Sequence, residues 1–508
     1  MKRDITFIMI LFLGFCNLSK AQDFSGFKDS ITINILQKHV ETLCDKQKGG
    51  RKFATEGEKN AANYIRDQFI KFGLSSSTTG NDKFFQNYTL SFDTLISFSI
   101  ENQKKTLSYL SDFFTWEFCF LKDTSRADIV YGGFGLDGEK YTDYKNIDVK
   151  NKWVVVEINS PFDSSGNLMD QFDFDNPIDY SQINLKKEIA QENGAIGVIF
   201  RINSERYPDF LASVTKNWYH YRSKDKAAIN RLIGIYPGIF ASQNALDSLM
   251  GVNTEDFNER INSQLKDGFS LAGEIRNSVS FNINKQQRHF NSQNVVGIIK
   301  GKEETVGTIV TAHYDAVKYN DTLFYPGAND NASGTAAVIQ LADIFSKIVR
   351  SGYIPEKSIA FVAFSGEEED LIGSTYFIDH KPLLLDNNTI NINIDGIGLL
   401  DPTQQNKGSF TYILASDTEI ARVKPGLLKL ASHKEQPVST IFLEDPNSSD
   451  HASFYYGGIH AICLMTGGAL NHTPQDSQES INYQNFESVT RFIFDIILSY
   501  NQFSTVIK

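Results

Sequence analysis

The sequences TIVTA at residues 308–312 and IAFVAF at residues 359–364 flank SGTAAVIQLADIFSKIV at residues 333–349. The two short apolar runs predict buried strands, and the longer segment between them predicts a helix. Strands that alternate with helices build a largely parallel sheet that is covered by helices on both faces. This stretch therefore predicts an α/β fold.

The alternation continues on both sides of this stretch. A strand is predicted at 295–299, before this stretch. After it, the predicted elements are strands at 390–394, 411–415 and 459–464 and helices at 372–380, 418–431 and 484–499. Nearer the N-terminus, residues 28–74 predict two helices, the second of which is entered near Thr55 and ends at Gly73. Residues 84–120 carry the β-branched and aromatic runs that are typical of strands.

Residues 120–275 predict a separate block of structure. Apolar strand patterns at 127–131, 153–158 and 194–200 are joined by a polar helix at 185–193 and an acidic loop at 162–178. This block lacks the clusters of His, Asp and Glu that hold metals, so we expect it to contribute shape rather than chemistry.

The composition excludes one class of partner. The 508 residues carry a formal net charge of -12, and the sequence pI is about 5.3. A negative balance without Lys/Arg runs among aromatic residues disfavours a nucleic acid partner. The oligomeric state stays open.

The N-terminus predicts export. Lys2 and Arg3 precede an apolar run of 11 residues at 5–15, and Ser19 and Ala21 are small residues where a signal peptidase requires them. The run is shorter than the roughly 18 residues of a membrane span, so no stable membrane insertion is expected. We predict a signal peptide at 1–21 and a periplasmic or extracellular location.

Three cysteines remain after this segment, namely Cys44, Cys119 and Cys463. They are too few for a disulfide framework, and none has the spacing of a metal site. A single bridge among them stays open.

A second pattern is polar, because acids and histidines occur near the ends of the predicted strands. They are His313 and Asp315 after 308–312, Asp330 in the loop PGANDNASG at 326–334, Glu367 and Glu368 after 359–364, Asp395 after 390–394 and His472 after 459–464. Ligands of α/β sheets bind beyond the carboxyl ends of the strands. We therefore expect these side chains to meet in one site.

The residue types indicate zinc, which accepts imidazole nitrogen and carboxylate oxygen. Two ions about 3.5–4 Å apart are well held by one shared carboxylate and about two further ligands each. We predict that Asp330 is the shared ligand. His313 and Asp395 would bind one ion, and Glu368 and His472 the other.

Hydrolysis at such a centre also needs a carboxylate that does not bind metal. The ions make water a nucleophile at neutral pH and polarise the scissile carbonyl, and the carboxylate moves the proton to the departing amine. Glu367 fits this role because it adjoins Glu368 and can point to another side of the site.

Each of these residues alone has an ordinary structural explanation. A His-x-Asp pair after a strand can lie on the surface, two adjacent glutamates can form a solvated turn, and Asp330 can cap the following helix. Their conjunction at successive strand ends, in the order His, Asp, Glu-Glu, Asp, His, favours the metal site.

Six motifs together resemble the M28 family of zinc peptidases, which includes secreted aminopeptidases and glutamate carboxypeptidase-like enzymes. They are TAHYD at 311–315, GANDNASG at 327–334, EEEDLIGS at 367–374, NIDGIG at 393–398, SDHASF at 449–454 and HTPQDS at 472–477. The resemblance covers about residues 28–95 and 290–500. It implies an α/β fold, namely a three-layer α/β/α sandwich around a mixed, largely parallel sheet, with two Zn2+ ions as cofactors.

The resemblance also implies a role for each motif residue. By position the zinc ligands are His313, Asp330, Glu368, Asp395 and His472. Glu367 falls on the family's general base, and Asp315 on the carboxylate that orients the first ligand imidazole.

His451 is a ligand by residue type, but the family's final ligand lies in the His-Thr-x-x-Asp motif. We therefore expect His451 to contact substrate or support the site, with a buried core histidine as the alternative. Asp476 is expected to help fix its loop. Two departures from the family pattern leave the ligands intact: Asn471 replaces a common tyrosine, so no tyrosine is named as an oxyanion donor, and Asp370 replaces a glycine.

The middle block resembles a protease-associated domain through ADIVY at 127–131 and GAIGVIF at 194–200. We therefore predict a signal peptide at 1–21, a zinc peptidase domain at 22–110 and 285–508, and an inserted β-rich protease-associated domain at 111–284. By analogy the inserted domain would cover the cleft and limit access.

The function predicted from these observations is an exported dinuclear zinc exopeptidase that acts on peptide substrates, as an aminopeptidase. A glutamate carboxypeptidase-like enzyme would use arginines to bind a terminal carboxylate, but Arg422 is the only arginine between Arg350 and Arg491. A glutaminyl cyclase-like acyl transferase usually has an insertion where Glu368 and Gly373 stand five positions apart. A metal-free binding module with a decayed site is the alternative from another class.

Overall fold

The structure, a computed structural model, describes most of the chain. The described residues are 23–76, 83–115, 121–138, 142–159, 180–203, 221–223, 236–267, 270–273, 275–317, 323–432 and 437–505. The predicted signal peptide, the acidic loop at 162–178 and Cys119 lie outside these residues. Cys44 and Cys463 are both buried free thiols.

The chain forms strands and helices in alternation. The strands are β1 Ser75–Ser76, β2 Phe85–Glu101, β3 Thr106–Ser108, β4 Phe113–Phe114, β5 Thr124–Tyr131, β6 Trp153–Glu157, β7 Gly197–Ile202, β8 Tyr221–Ser223, β9 Gly238–Ser242, β10 Arg276–Ile299, β11 Glu303–His313, β12 Tyr353–Pro355, β13 Lys357–Phe364, β14 Leu385–Ile394, β15 Phe410–Ala415, β16 Ser439–Glu444, β17 His460–Met465 and β18 Phe503–Thr505. The helices are α1 Ser25–Lys28, α2 Ile33–Leu43, α3 Glu56–Phe72, α4 Tyr180–Glu192, α5 Gln243–Met250, α6 Thr254–Asp267, α7 Gly334–Arg350, α8 Ile372–His380, α9 Asp417–Ala431, α10 His451–Tyr456 and α11 Tyr483–Tyr500.

One large sheet connects the strands in the order β16-β15-β17-β14-β11-β13-β10-β5-β6-β7-β9-β4. Strands β17, β14, β11 and β13 are mutually parallel, whereas β15 runs antiparallel to β17 and β10 antiparallel to β13. The sheet is therefore mixed, with a parallel centre. This confirms the predicted fold class.

Side chains alternate between the two faces of the sheet, as the pleat of a strand requires. In β13, Phe361 and Ala363 face a core that also contains α2, α3, α7 and α11. Val362 and Phe364 face a second core with α8 and α10. Helices thus cover both faces of the sheet, which confirms the three-layer arrangement.

The residues at its two ends explain where helix α3 begins and ends. The Thr55 hydroxyl accepts the backbone N–H of Glu58 at 3.4 Å, and Gly73 ends the helix with φ +80°. A left-handed terminal residue of this kind favours glycine.

Residues Ala328–Arg350, which include α7, are long and apolar enough to cross a membrane by length and composition. However, 83% of the apolar window is buried inside the fold, as in a core helix. Among the described residues this is the only helix that passes that test.

Strand β10 differs from the short strand predicted at 295–299, because it runs for 24 residues. Its first residues, 276–282, pair with β5, its C-terminal end pairs with β13, and most of its length pairs with β2. Val279, Phe281 and Ile283 alternate with polar residues, which is a strand pattern that the prediction at 295–299 missed, whereas residues 284–294 are largely polar. The predicted domain boundary at 284/285 falls inside β10, at a shift in its register with β2.

The block between β2 and β10 has cores of its own on both faces of its sheet. Val155 and Ile199 pack with α5 and α6 on one face, and Val154 and Val198 pack with α4 on the other. Its identification as a protease-associated domain, and the predicted domain limits, stay predictions.

Candidate metal centre

The polar residues singled out from the sequence lie at one edge of the sheet. His313 is the last residue of β11, Asp395 directly follows β14, and Glu367 and Glu368 follow β13 by three and four residues. Two loops complete the set. Asp330 lies in an irregular helical turn, Ala328–Ser333, that leads into α7, and His472 lies in the loop after β17.

The two carboxylate oxygens of Asp330 face two different imidazoles. Its Oδ1 lies 3.2 Å from Nε2 of His313, and its Oδ2 lies 3.1 Å from Nε2 of His472. Asp395 Oδ1 lies 3.5 Å from the same His313 nitrogen, and Glu368 Oε2 lies 3.1 Å from that of His472. The structure thus brings together two sets of side chains with Asp330 between them.

These distances fit two zinc ions. Atoms that bind one tetrahedral zinc ion at about 2.0–2.1 Å lie roughly 3.3 Å from one another. Both His313 ring nitrogens and Glu368 Oε1 are buried without a hydrogen-bond partner. Buried polar atoms without a partner are rare and call for an explanation such as an ion. The donor set and the spacing therefore suit the cofactor that the sequence implies.

Glu367 stands slightly apart from the two sets. With His313 and Asp395 it forms a group whose possible ligand atoms lie within 4.8 Å of one another. Its Oε2 is nevertheless 3.8 Å from His313 Nε2, farther than the oxygens of Asp330 and Asp395. The Glu367 side chain is 14% exposed, so part of it reaches the surface of the site.

The cluster carries more negative charge than its imidazoles balance. Burial raises the pKa of Glu367 well above its usual value, and burial beside Asp330 raises the pKa of Glu368 to about 7. Hydrogen bonds to Asp330 and Glu368 raise the pKa of His472 to about 10. Burial alone would lower the pKa of His313, but the neighbouring carboxylates, Glu367 first, raise it well above the usual value. Without a metal, protons on these carboxyl groups and imidazoles offset the negative charge. Divalent cations would neutralise the same charge.

Asp476 fixes the backbone of the Asp330 loop. Its Oδ1 accepts the N–H of Asn329 at 2.7 Å, and its Oδ2 accepts the N–H of Asp330 at 3.0 Å. Gly327 starts the loop at φ +57°, and a Cβ there would lie 2.4 Å from the Asp330 carbonyl oxygen. The sequence therefore needs both a carboxylate and a glycine at these positions.

The asparagines on either side of Asp330 connect its loop to neighbouring strand ends. Asn331 Nδ2 donates to the Ile394 carbonyl at 2.9 Å. Asn329 Oδ1 accepts the N–H groups of Gly398 and Leu399 at 2.8 and 2.7 Å. The Asp330 loop is therefore held in register with the loop that carries Asp395.

Asp315 holds the glutamate loop. Its Oδ1 and Oδ2 accept the N–H groups of Glu367 and Glu368, each at 3.2 Å. Its Oδ1 also lies 3.5 Å from Nδ1 of His313. One buried carboxylate thus touches both the first imidazole and the adjacent glutamates.

Comparisons with known proteins point to one family. Residues 294–497 match peptidase family M28. Aminopeptidase YwaD of Bacillus subtilis (strain 168) is 30% identical over 231 residues, which are 43% of this chain and 47% of that protein. The probable glutamate carboxypeptidase VP8 of Zea mays is 33% identical over 102 residues, 20% of this chain and 13% of that protein. Residues 294–497 belong to peptidase family M28.

A solved structure extends the likeness of fold beyond the M28 domain. An aminopeptidase from Aneurinibacillus sp. strain AM-1 superposes with a TM-score of 0.58 and covers 96% of this chain and 98% of that one, at 17% identity. At this identity the likeness shows the fold alone. The chain spans about half the length of YwaD, so the activity of the whole protein is a proposal.

Two residues of the M28 domain that were considered from the sequence lie outside both metal groups. His451 is buried, and its Nε2 contacts the Asp445 carbonyl at 2.9 Å. Asn471 Oδ1 accepts a hydrogen bond from Asn329 Nδ2 at 2.7 Å. The predicted role of His451 towards substrate stays a prediction.

The sequence did not indicate Arg51, a buried cation that contacts the loops of the candidate metal centre. Arg51 is 2% exposed and donates to the carbonyls of Tyr314, Pro326 and Gly327 at 2.7 to 2.8 Å, and to that of Leu43 at 3.0 Å. It thereby fixes the segments after His313 and before Asp330. Because its partners are backbone carbonyls, which every residue has, no residue type at the partner positions indicates these contacts in the sequence.

Proposed function

We propose that the chain is an exported aminopeptidase that hydrolyses peptide bonds with two zinc ions. The observation that carries the proposal is the placement of Asp330, whose two oxygens lie 3.2 Å from His313 Nε2 and 3.1 Å from His472 Nε2. A carboxylate that faces two imidazoles with opposite oxygens suits a ligand shared by two ions. His313 and Asp395 would hold one ion, and Glu368 and His472 the other.

When bound, zinc lowers the pKa of water and polarises the scissile carbonyl. Glu367 would act as the general base that takes the water proton and delivers it to the departing amine. Its side chain is partly exposed, and Asp315 accepts its backbone N–H at 3.2 Å. Asp315 also lies against His313, so it would orient that ligand as well.

The carboxypeptidase alternative would need arginines that are free to bind a terminal carboxylate. Arg422 lies on α9 with its guanidinium paired to Glu419, Nε to Oε1 at 3.1 Å. Arg51 is engaged with backbone carbonyls. Neither guanidinium is placed to grip a terminal carboxylate, so release from the amino end is favoured.

Hydrolysis of aminoacyl-4-nitroanilides tests the proposal. We expect activity that a chelator abolishes and zinc restores, with two zinc ions per chain by elemental analysis. Release of C-terminal residues from N-blocked peptides would instead favour the carboxypeptidase. A peptide library in which the shortened end is followed by mass spectrometry decides between the two.

Two variants test the assigned roles. Glu367→Gln should keep both zinc ions and lose about 10²–10⁴-fold in kcat, the size of a general-base contribution. His472→Ala should lose one ion, and full retention of both would overturn the assignment of His472 as a ligand. Glu356→Gln, an exposed glutamate paired with Lys302, is the matched control and should behave as the wild type.

Export is part of the proposal and rests on residues 1–21, which lie outside the described part of the chain. Expression of the full chain in a bacterial host, with N-terminal sequencing of the mature protein, should give a start at Gln22 in the periplasm or medium. An uncleaved cytoplasmic product would refute export without affecting the proposed chemistry.

A further inference from the structure

A buried hydrogen-bond cluster lies behind the loop that carries Glu367. Ser365, two residues before Glu367, has each of its polar groups engaged. Its N–H donates to Asn294 Oδ1 at 3.2 Å, and its carbonyl accepts the Tyr88 hydroxyl at 2.9 Å. Its hydroxyl contacts the carboxyl of Glu58. The start of the glutamate loop is therefore fixed by three elements of the fold.

Glu58 is the unusual member of this cluster. It is 1% exposed, and within the described residues no lysine or arginine pairs with its carboxyl. Its Oε1 accepts the Ser292 hydroxyl at 2.6 Å, and its Oε2 accepts the N–H of Ala54 at 2.7 Å. Burying a carboxyl without a cation is costly. An exposed residue at this position could cap α3 without losing its hydration.

The oxygens of Glu58, Ser292 and Ser365 form a closed triangle, because the two serine Oγ atoms also lie 2.7 Å apart. The two serine hydroxyls supply two protons for these three contacts, and a protonated Glu58 carboxyl would supply the third. Burial raises the pKa of Glu58 to about 8, which agrees with a carboxyl that is protonated near neutral pH. The triangle is then fully satisfied.

The link from this triangle to Glu367 is short and rigid. Gly366, the residue between, has φ +75°, and a Cβ there would lie 3.1 Å from the ring of Phe53. On the far side, Asp315 accepts the Glu367 N–H at 3.2 Å. The backbone is thus pinned before and at Glu367, and its carboxylate direction depends on both anchors.

We propose that Glu58 is a positioning residue for Glu367: through Ser292 and Ser365 it fixes the backbone that aims the general base. This rests on the proposed role of Glu367. A misplacement of about 1 Å costs roughly 10²-fold in rate. Neither zinc-binding group includes Glu58, Ser292 or Ser365. The ligand Glu368 keeps its own contact with Asp315, through its N–H at 3.2 Å, so the metal ions should remain bound when the triangle is broken.

The test compares variants of the full chain loaded with zinc. Glu58→Met, which keeps the length and removes the polar group, should lose about 10–100-fold in kcat with KM within about threefold and both ions retained. Glu58→Gln can still donate to a hydroxyl and accept from Ala54, and should keep most of the activity. Glu56→Gln, on the exposed side of the same helix, is the matched control.

A double-mutant cycle separates this role from a general loss of stability. If Glu58 acts through Glu367, Glu58→Met should cost nothing further in a Glu367→Gln background. Normal kcat in Glu58→Met, or the same fold loss with and without Glu367, would overturn the proposal. Normal turnover of Glu367→Gln alone would instead overturn the assigned general base.

Ser365→Ala keeps the test decisive if Glu58→Met fails to fold. It removes one hydroxyl and should show the same pattern, with a lowered kcat, unchanged zinc content and no further loss beside Glu367→Gln. A wild-type kcat in Ser365→Ala would refute the proposal.

Discussion

Asp476→Asn should weaken zinc binding without removing a ligand. In the wild type, the two carboxylate oxygens accept the N–H groups of Asn329 and Asp330 at 2.7 and 3.0 Å. An asparagine has one oxygen, so one of these contacts is lost and its amide N–H group faces a backbone N–H. The Asp330 carboxylate then loses its fixed direction between His313 and His472.

The size of the effect follows from the lost contact. A hydrogen bond to a charged group contributes about 1.5–3 kcal/mol, and 1.4 kcal/mol corresponds to a factor of ten in affinity. We therefore expect zinc affinity to fall about 10–100-fold. This is also the usual cost of losing a residue that supports metal ligands.

Zinc titration of the apo-protein against a chromophoric chelator measures this change. Glu479→Gln removes the same charge from an exposed position three residues further on and serves as the control. Wild-type affinity for both ions in Asp476→Asn would refute the reasoning, because the loop would then hold Asp330 without this carboxylate.

Two further predictions concern positions away from the ligands. Burial, with Lys71 nearby, lowers the pKa of His39 in the folded state to about 4 from 6.5. Below pH 6.5 the unfolded chain binds a proton at His39 that the folded chain does not bind, so the contribution of this group to the free energy of unfolding falls by about 1.4 kcal/mol per pH unit until about pH 4. In urea unfolding, the free energy of unfolding should therefore change less between pH 7.5 and pH 5 for His39→Gln than for the wild type. An equal change in both proteins would contradict the assignment. In Gly373→Ala the new Cβ would lie 2.1 Å from the Ser365 carbonyl oxygen, so kcat should fall at least about 100-fold, whereas Gly426→Ala, with open space around its Cβ, should keep full activity in the same nitroanilide assay.

The sheet and the metal-binding groups were predictable because each has a strong signal of its own. Short apolar runs that alternate with longer helical patterns favour buried strands. An acid or histidine directly after such a strand lies at the ligand-binding edge of an α/β sheet. Strand β10 lacked this signal. Apart from the alternating Val279, Phe281 and Ile283, residues 276–294 are largely polar. They are held by pairing with β2 and β5, so their extended conformation depends on partners that are distant in sequence.

The supporting residues were hidden for a different reason. Thr55 and Glu58 match the spacing of a helix-capping box, and the Thr55 hydroxyl does accept the Glu58 N–H. This local explanation is sufficient by itself, so the contacts of Glu58 with Ser292 and Ser365, 234 and 307 residues away, leave no trace in the sequence.

Metal ligands and the residues that position them must meet different chemical requirements. Zinc binds only a few kinds of side-chain atom, so the residue type at a ligand position indicates metal binding. A positioning residue only has to form a hydrogen bond with a backbone group at a given place, and many residue types can do so. Arg51, with four backbone carbonyls as partners, is one solution among several, and only the folded chain shows which one was used. Positions of this second kind decide how rigidly Asp330 and Glu367 are aimed, so variants there should change affinity and rate while leaving every ligand in place.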